Sequence, residues 1–140
     1  MLIVAAVPLS LVIVKVQGSS MRPTFHNGDT LIAIRIPHFL IRPGSVVISK
    51  SPIPSGFGTV PWPVSAMRAS DLWVVKRVRA TPGQWVPDDT SPQRARERLA
   101  PRHYFLQGDA PDSLDSRHWG PVPSSHIRGI VLFRWPLSRA

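Results

Sequence analysis

Apolar residues in this chain come in short β-branched runs closed by Gly, Pro, Asn or Asp, a pattern that predicts strands and turns rather than long helices. Residues 11–17 (LVIVKVQ) read as a strand that delivers the chain into a tight segment, Gly18-Ser19-Ser20-Met21-Arg22-Pro23. A turn over His26-Asn27-Gly28-Asp29 and a returning strand over 30–36 complete a hairpin-like unit. Further strands are predicted over 45–49, after the turn Arg42-Pro43-Gly44, then over 72–79, 104–107 and 127–135. Residues 51–70, with four prolines and two glycines, predict a loop or irregular flap, and 108–120 a polar loop. The charged stretch 88–103 reads as a solvated turn or a single helical turn on the surface.

The first fourteen residues carry no charge but fall short of the roughly 18 to 20 apolar residues that a spanning helix needs, and Pro8 interrupts them. With no basic start and no small-residue cleavage site, they do not read as a cleaved secretory signal. Residues 2–10 are expected to form a short or truncated membrane anchor, with a buried first strand as the alternative. The organisation expected is an apolar segment, 1–14, running into one catalytic domain, 15–140. The fold class expected is mainly β.

Composition narrows the chemistry. At 140 residues and 43% hydrophobic, the chain is sized for one domain with one core. The absence of cysteine excludes disulfides, thiolate zinc sites and a thiol nucleophile. The net charge of +9 suits nucleic acid, anionic lipid or plain solubility, and chooses among none of them.

A serine nucleophile needs a base. Five histidines are present, yet the Gly-x-Ser-x-Gly elbow is absent, since Met21-Arg22-Pro23 follows Ser20. A lysine serves equally once burial penalises its ammonium form. Lys15 lies an odd number of residues before Ser20, which turns the two side chains to opposite faces, and Lys50 sits at a strand end open to water. Lys76 alone follows an apolar run, Leu72-Trp73-Val74-Val75, in mid-strand, with Arg77 directed to the other face. To be half neutral at pH 7 its pKa must come down from about 10.4 to about 7, a cost of about 4 to 5 kcal/mol that full burial can supply. An isolated lysine in a strand is otherwise a snorkelling surface residue.

At these residues the chain resembles the type I signal peptidase family. Gly18-Ser19-Ser20-Met21-Arg22-Pro23-Thr24 is similar to its nucleophile box. Three further boxes follow in the family's order: Arg42-Pro43-Gly44-Ser45-Val46-Val47, the stretch Lys76 to Gln84, and Gly108 to Pro123. The resemblance implies a mostly β catalytic domain at the cell membrane on the extracytoplasmic side, which cleaves exported pre-proteins after small residues. By position it implies Ser20 as nucleophile and Lys76 as base, with Ser113 as the hydroxyl orienting the amine. Asp115 and Arg117 match an ion pair supporting the active-site loop, and two residues that far apart on an extended segment point the same way.

For the oxyanion, the backbone N–H of Ser20 is the natural first donor, with Ser19 as a candidate second. Val16, Met21 and Val75 resemble positions lining shallow apolar pockets for alanine-sized side chains, with ordinary core packing as the alternative. The sequence departs from the family pattern at Ser45, Ala80 and Ala110, and at Gln84, none within the proposed dyad.

The partners expected are pre-proteins bearing signal peptides and membrane lipid, with no nucleic acid. No cofactor or metal is expected, because the spacing of His103, His118 and His126 matches no common ligand pattern and surface histidines account for them. Two alternatives stay open. One is a dedicated maturation protease for a single partner, resembling the nickel superoxide dismutase processing enzymes. The other is a non-enzymatic basic module that binds membrane or nucleic acid and tolerates Ser20→Ala.

Overall fold

The computed structural model describes residues 11–52, 73–87, 89 and 97–136. The apolar runs pair into one antiparallel sheet: β1 (Leu11–Lys15), β2 (Thr30–Ile34), β3 (Val46–Lys50), β4 (Trp73–Ala80), β5 (His103–Gln107), β6 (Val122–Pro123) and β7 (Ile127–Trp135). Their spatial order is β1-β2-β7-β3-β4-β5-β6, so the last long strand inserts between the first hairpin and β3. The expected mainly β class and the hairpin of β1 with β2 are both observed. Residues 2–10 and 53–70, where an anchor and a flap are expected, lie outside the described residues.

Strand interiors follow from composition. Val46 to Ser49 are all buried, as a continuous apolar run covered on both faces should be. β4 alternates instead, burying Lys76, Val78 and Ala80 while Arg77 and Arg79 face outward. Val47 and Val78 pack with Ile41, Tyr104, Leu106 and Val122 in the main core, and Ala80, Val86, Leu99 and Phe105 form a second cluster. Gly44 closes the turn before β3 at φ +92, a conformation open to glycine, and donates its N–H to the Val78 carbonyl at 2.8 Å.

Two expectations need correction. The polar loop 108–120 contains a single helical turn, α1 (Ser116–Trp119), capped by the Asp115 side chain. Asp115 and Arg117 therefore meet around a helix N-terminus, not along an extended segment. The charged stretch 88–103 is not purely surface either. The backbone of Glu97 and Leu99 pairs with that of Val86 and Gln84, which carries Leu99 into the second core cluster. A lone leucine among arginines gives no periodicity to read, so burial there is set by the pairing partner.

Candidate active site

Lys76 reaches the interior because β4 alternates and because its cross-strand partner, Val47, is itself buried. The lysine is 3% exposed, and its Nζ donates to Ser113 Oγ at 2.8 Å. Burial pulls its pKa down from 10.5 to about 8, against the pull of the Asp115 carboxylate, which raises it, and with the help of the Arg117 guanidinium. This is about one unit above the value of about 7 at which the amine would be half neutral at pH 7. The difference lies in Asp115, whose nearby charge opposes desolvation and is invisible from the lysine's own strand.

Asp115 is fully buried and is held by donors on every side. Its carboxylate accepts the Arg117 Nε–H at 2.9 Å, Arg117 Nη2–H at 2.8 Å, the Arg117 backbone N–H at 3.0 Å and the Gly108 N–H at 2.9 Å. Burial would raise its pKa, but Arg117 and these N–H groups, joined by the Ser113 hydroxyl, hold it below the usual carboxylate value. Ser113 Oγ accepts the lysine N–H, so its own hydrogen is left free to turn toward Asp115, an ionised carboxylate that can only accept. That direction matters chemically. A neutral Lys76 amine that donates to Ser113 keeps its own lone pair free to take a proton from elsewhere.

Ser20 lies on the turn after β1. The stem of that hairpin is pinned by Val16 N–H to the Asp29 carbonyl at 2.7 Å and Gly28 N–H to the Val16 carbonyl at 2.8 Å. The far side is tied to the second loop, where the Ala110 N–H donates to the Ser20 carbonyl at 2.9 Å. Gly108 stands at the junction. A Cβ there would fall 2.1 Å from Ser113 Oγ and 2.5 Å from the Ser20 carbonyl oxygen, so only glycine lets the two segments close. Lys76, Ser113, Asp115 and Arg117 thus form one connected cluster, and the backbone of Ser20 abuts it through Gly108.

Of the other sequence-predicted residues, Met21 and Val16 are buried, at 1% and 6% exposure, and Val75 is half-buried. Ser19 is exposed, and its carbonyl accepts the Arg22 N–H at 3.1 Å. His118 is exposed and completes the α1 cap by accepting the Asp115 N–H, while His103 and His126 are half-buried.

Sequence reasoning missed Gly108, and it missed a second ion pair. Arg77 Nε–H and Nη2–H donate to the two oxygens of Asp109, each at 2.8 Å, and the Thr24 hydroxyl donates to the same carboxylate. Asp109 is held below its usual pKa because Arg77 and Thr24 outweigh the upward effect of burial. This fork fastens the turn that carries Ser20 to β4 and to the loop after β5. Strand alternation sends Arg77 to the correct face, but nothing in the sequence pairs it with an aspartate so far along the chain.

Comparison with known proteins agrees with this architecture. The family model described as "Signal peptidase, peptidase S26" matches residues 1–90 and 86–136. The chain is 34% identical over 133 residues to mitochondrial inner membrane protease subunit 1 of Mus musculus, covering 90% of this chain and 70% of that protein. It is 34% identical over 128 residues to mitochondrial ATP-independent inner membrane protease subunit 1b of Arabidopsis thaliana, covering 85% and 67%. Against thylakoidal processing peptidase 1, chloroplastic, of the same plant, identity is 28% over 147 residues, covering 89% and 42%. A buried lysine cluster against a serine-bearing turn on a β domain, together with these matches, leads to one conclusion: the chain belongs to the signal peptidase family, peptidase S26, and is a signal peptidase-like hydrolase.

Proposed function

We propose that this protein is a serine endopeptidase that removes N-terminal signal peptides from exported precursors after small residues, by a Ser20–Lys76 dyad. The observation that carries this reading is the Lys76 amine, buried in mid-strand, hydrogen-bonded to Ser113 and with a pKa of about 8. At that value roughly a tenth of the amine is neutral at pH 7.

In this mechanism neutral Lys76 takes the proton from Ser20 Oγ as it attacks the scissile carbonyl. Ser113, oriented by Asp115, holds the amine in place. The Ser20 N–H donates to the oxyanion, with Ser19 as the second candidate. The protonated lysine then delivers its proton to the leaving amine. In the second half, Lys76 activates the water that hydrolyses the acyl-enzyme. Val16, Met21 and Val75 are the side chains offered to small residues ahead of the scissile bond.

Residues 15–140 are the catalytic domain in this reading, and 1–14 are an apolar segment that keeps it at a membrane. The site is the bacterial cell membrane, with the catalytic domain on its extracytoplasmic side. Among the described residues no helix is long and apolar enough to cross a membrane. The test is cleavage in detergent of a precursor carrying an Ala-x-Ala site by the wild type, Ser20→Ala and Lys76→Ala. Cleavage by the wild type alone is the expected result. Processing by Lys76→Ala at the wild-type rate would remove the lysine from the mechanism.

A further inference from the structure

The face of β4 opposite Lys76 opens onto a cleft of about 250 Å³ lined by Pro23, Thr24, Arg77, Arg79, Gln107, Gly108 and Asp109. Two of its walls belong to the catalytic region. Pro23 and Thr24 continue the turn that carries Ser20, and Gly108 abuts both the Ser20 carbonyl and Ser113.

Its charge is unbalanced. Arg77 is matched to Asp109 by two short hydrogen bonds. Arg79 is held by Asp89, at 3.3 Å to each oxygen, and that aspartate side chain is 74% exposed. Arg79 also acts on Asp109, but that carboxylate is already forked by Arg77, and an ion pair as open to water as that with Asp89 contributes little, so the two guanidinium groups outweigh the one carboxylate lining the cleft.

The backbone accounts for its position. Between β4 and β5 the register slips, with Val78 opposite Leu106 but Ala80 opposite Phe105, so Arg79 is the residue without a partner on β5. Such bulges re-aim side chains near active sites.

We propose that this cleft is a substrate subsite, in which Arg79 binds an acidic side chain of the precursor on the mature side of the scissile bond. The inference rests on the endopeptidase reading above. Side selection follows from chemistry. The residues ahead of the bond are small and apolar and are assigned to Val16, Met21 and Val75. The cleft does not suit such residues, since Pro23 is its one apolar side chain, which leaves it to residues after the bond. A carboxylate meets the forked donors of Arg79 directly, whereas a lysine side chain would face uncompensated positive charge.

The experiment compares peptides with a fixed Ala-x-Ala ahead of the bond and Glu, Gln or Lys at each of the first few positions after it. Wild type, Arg79→Gln and Arg79→Glu are assayed for kcat/KM. At one of those positions the wild type is expected to prefer Glu over Gln by about threefold to tenfold, a partly exposed charge pair's worth, and to lose that preference at high salt. Arg79→Gln should level the two peptides, and Arg79→Glu should favour Lys. Equal rates for Glu and Gln peptides in the wild type, or a preference that survives in Arg79→Gln, would overturn the subsite and leave the endopeptidase reading intact. Cleavage that persists in Ser20→Ala would instead overturn that reading, and the subsite with it.

Discussion

Replacing Lys76 by methionine should abolish cleavage and at the same time stabilise the protein at neutral pH. Folding takes this lysine from water, where its pKa is 10.5, to a site where it is about 8. At pH 7 the ammonium form predominates in both states, so the folded protein bears the whole difference, about 3 kcal/mol. Methionine fills similar volume without that penalty. It forfeits the hydrogen bond to Ser113, about 1 kcal/mol, which leaves a net gain of about 2 kcal/mol.

The sign with pH is fixed by linkage. Because the folded pKa is the lower one, the unfolded chain binds more protons between pH 8 and 10.5, and wild-type stability recovers as pH rises through that window. By pH 10 the penalty is below about 1 kcal/mol, and the advantage of Lys76→Met should vanish. Urea unfolding of both proteins in detergent at pH 7 and pH 10, followed by tryptophan fluorescence, measures this directly. Comparing the two proteins at each pH cancels every other titrating group, including Tyr104, whose pKa burial raises. A stability difference that is the same at both pH values would refute a desolvated lysine at this position.

Three further outcomes follow from the same cluster. The kcat/KM of the wild type should rise with pH about a midpoint near 8, gaining about fivefold from pH 7 to 8 and less than about twofold from 8 to 9; a rate that falls over this range would exclude a neutral lysine as base. Asp115→Asn should destabilise the protein by about 3 to 5 kcal/mol, because Arg117 loses its buried partner. The depressed pKa of Asp115 means that its contribution is present above 3.8 and drains away as pH falls below it, so acid titration should separate wild type from the variant above that value and bring them together beneath it. Gly108→Ala should lower kcat/KM by about a hundredfold or more, since the added methyl displaces Ser113 or the Ser20 backbone; wild-type activity in that variant would show the junction to be loose.

Much of the fold was legible because it depends on local pattern. The β-branched run before Gly18, the turn at Pro43-Gly44 and the alternation of β4 each carry a periodicity or a backbone requirement that short windows of sequence reveal. Lys76 stood out for the same reason, as the lysine following an apolar run on the inward phase of a strand. Two local misreadings arose where that kind of information ends. A four-residue helix such as α1 has too few positions to display a period, and its cap was hidden in a stretch that reads as polar loop. Leu99 is buried by a pairing with Gln84 and Val86 that no charge pattern announces.

What the sequence alone determined was therefore the six longer strands, though not the two-residue β6, together with the serine on its tight turn and the one lysine placed to lose water. Tertiary structure decided what surrounds them. It set the lysine at about 8 by burying it, with Asp115 opposing and Arg117 assisting that shift, and it closed the turn that carries Ser20 against Gly108. It also matched Arg77 with Asp109 while leaving Arg79 on a bulge with a weak partner. Hydrophobic period is carried by neighbours in the chain, whereas charge pairing and close backbone approach depend on residues that only folding makes adjacent.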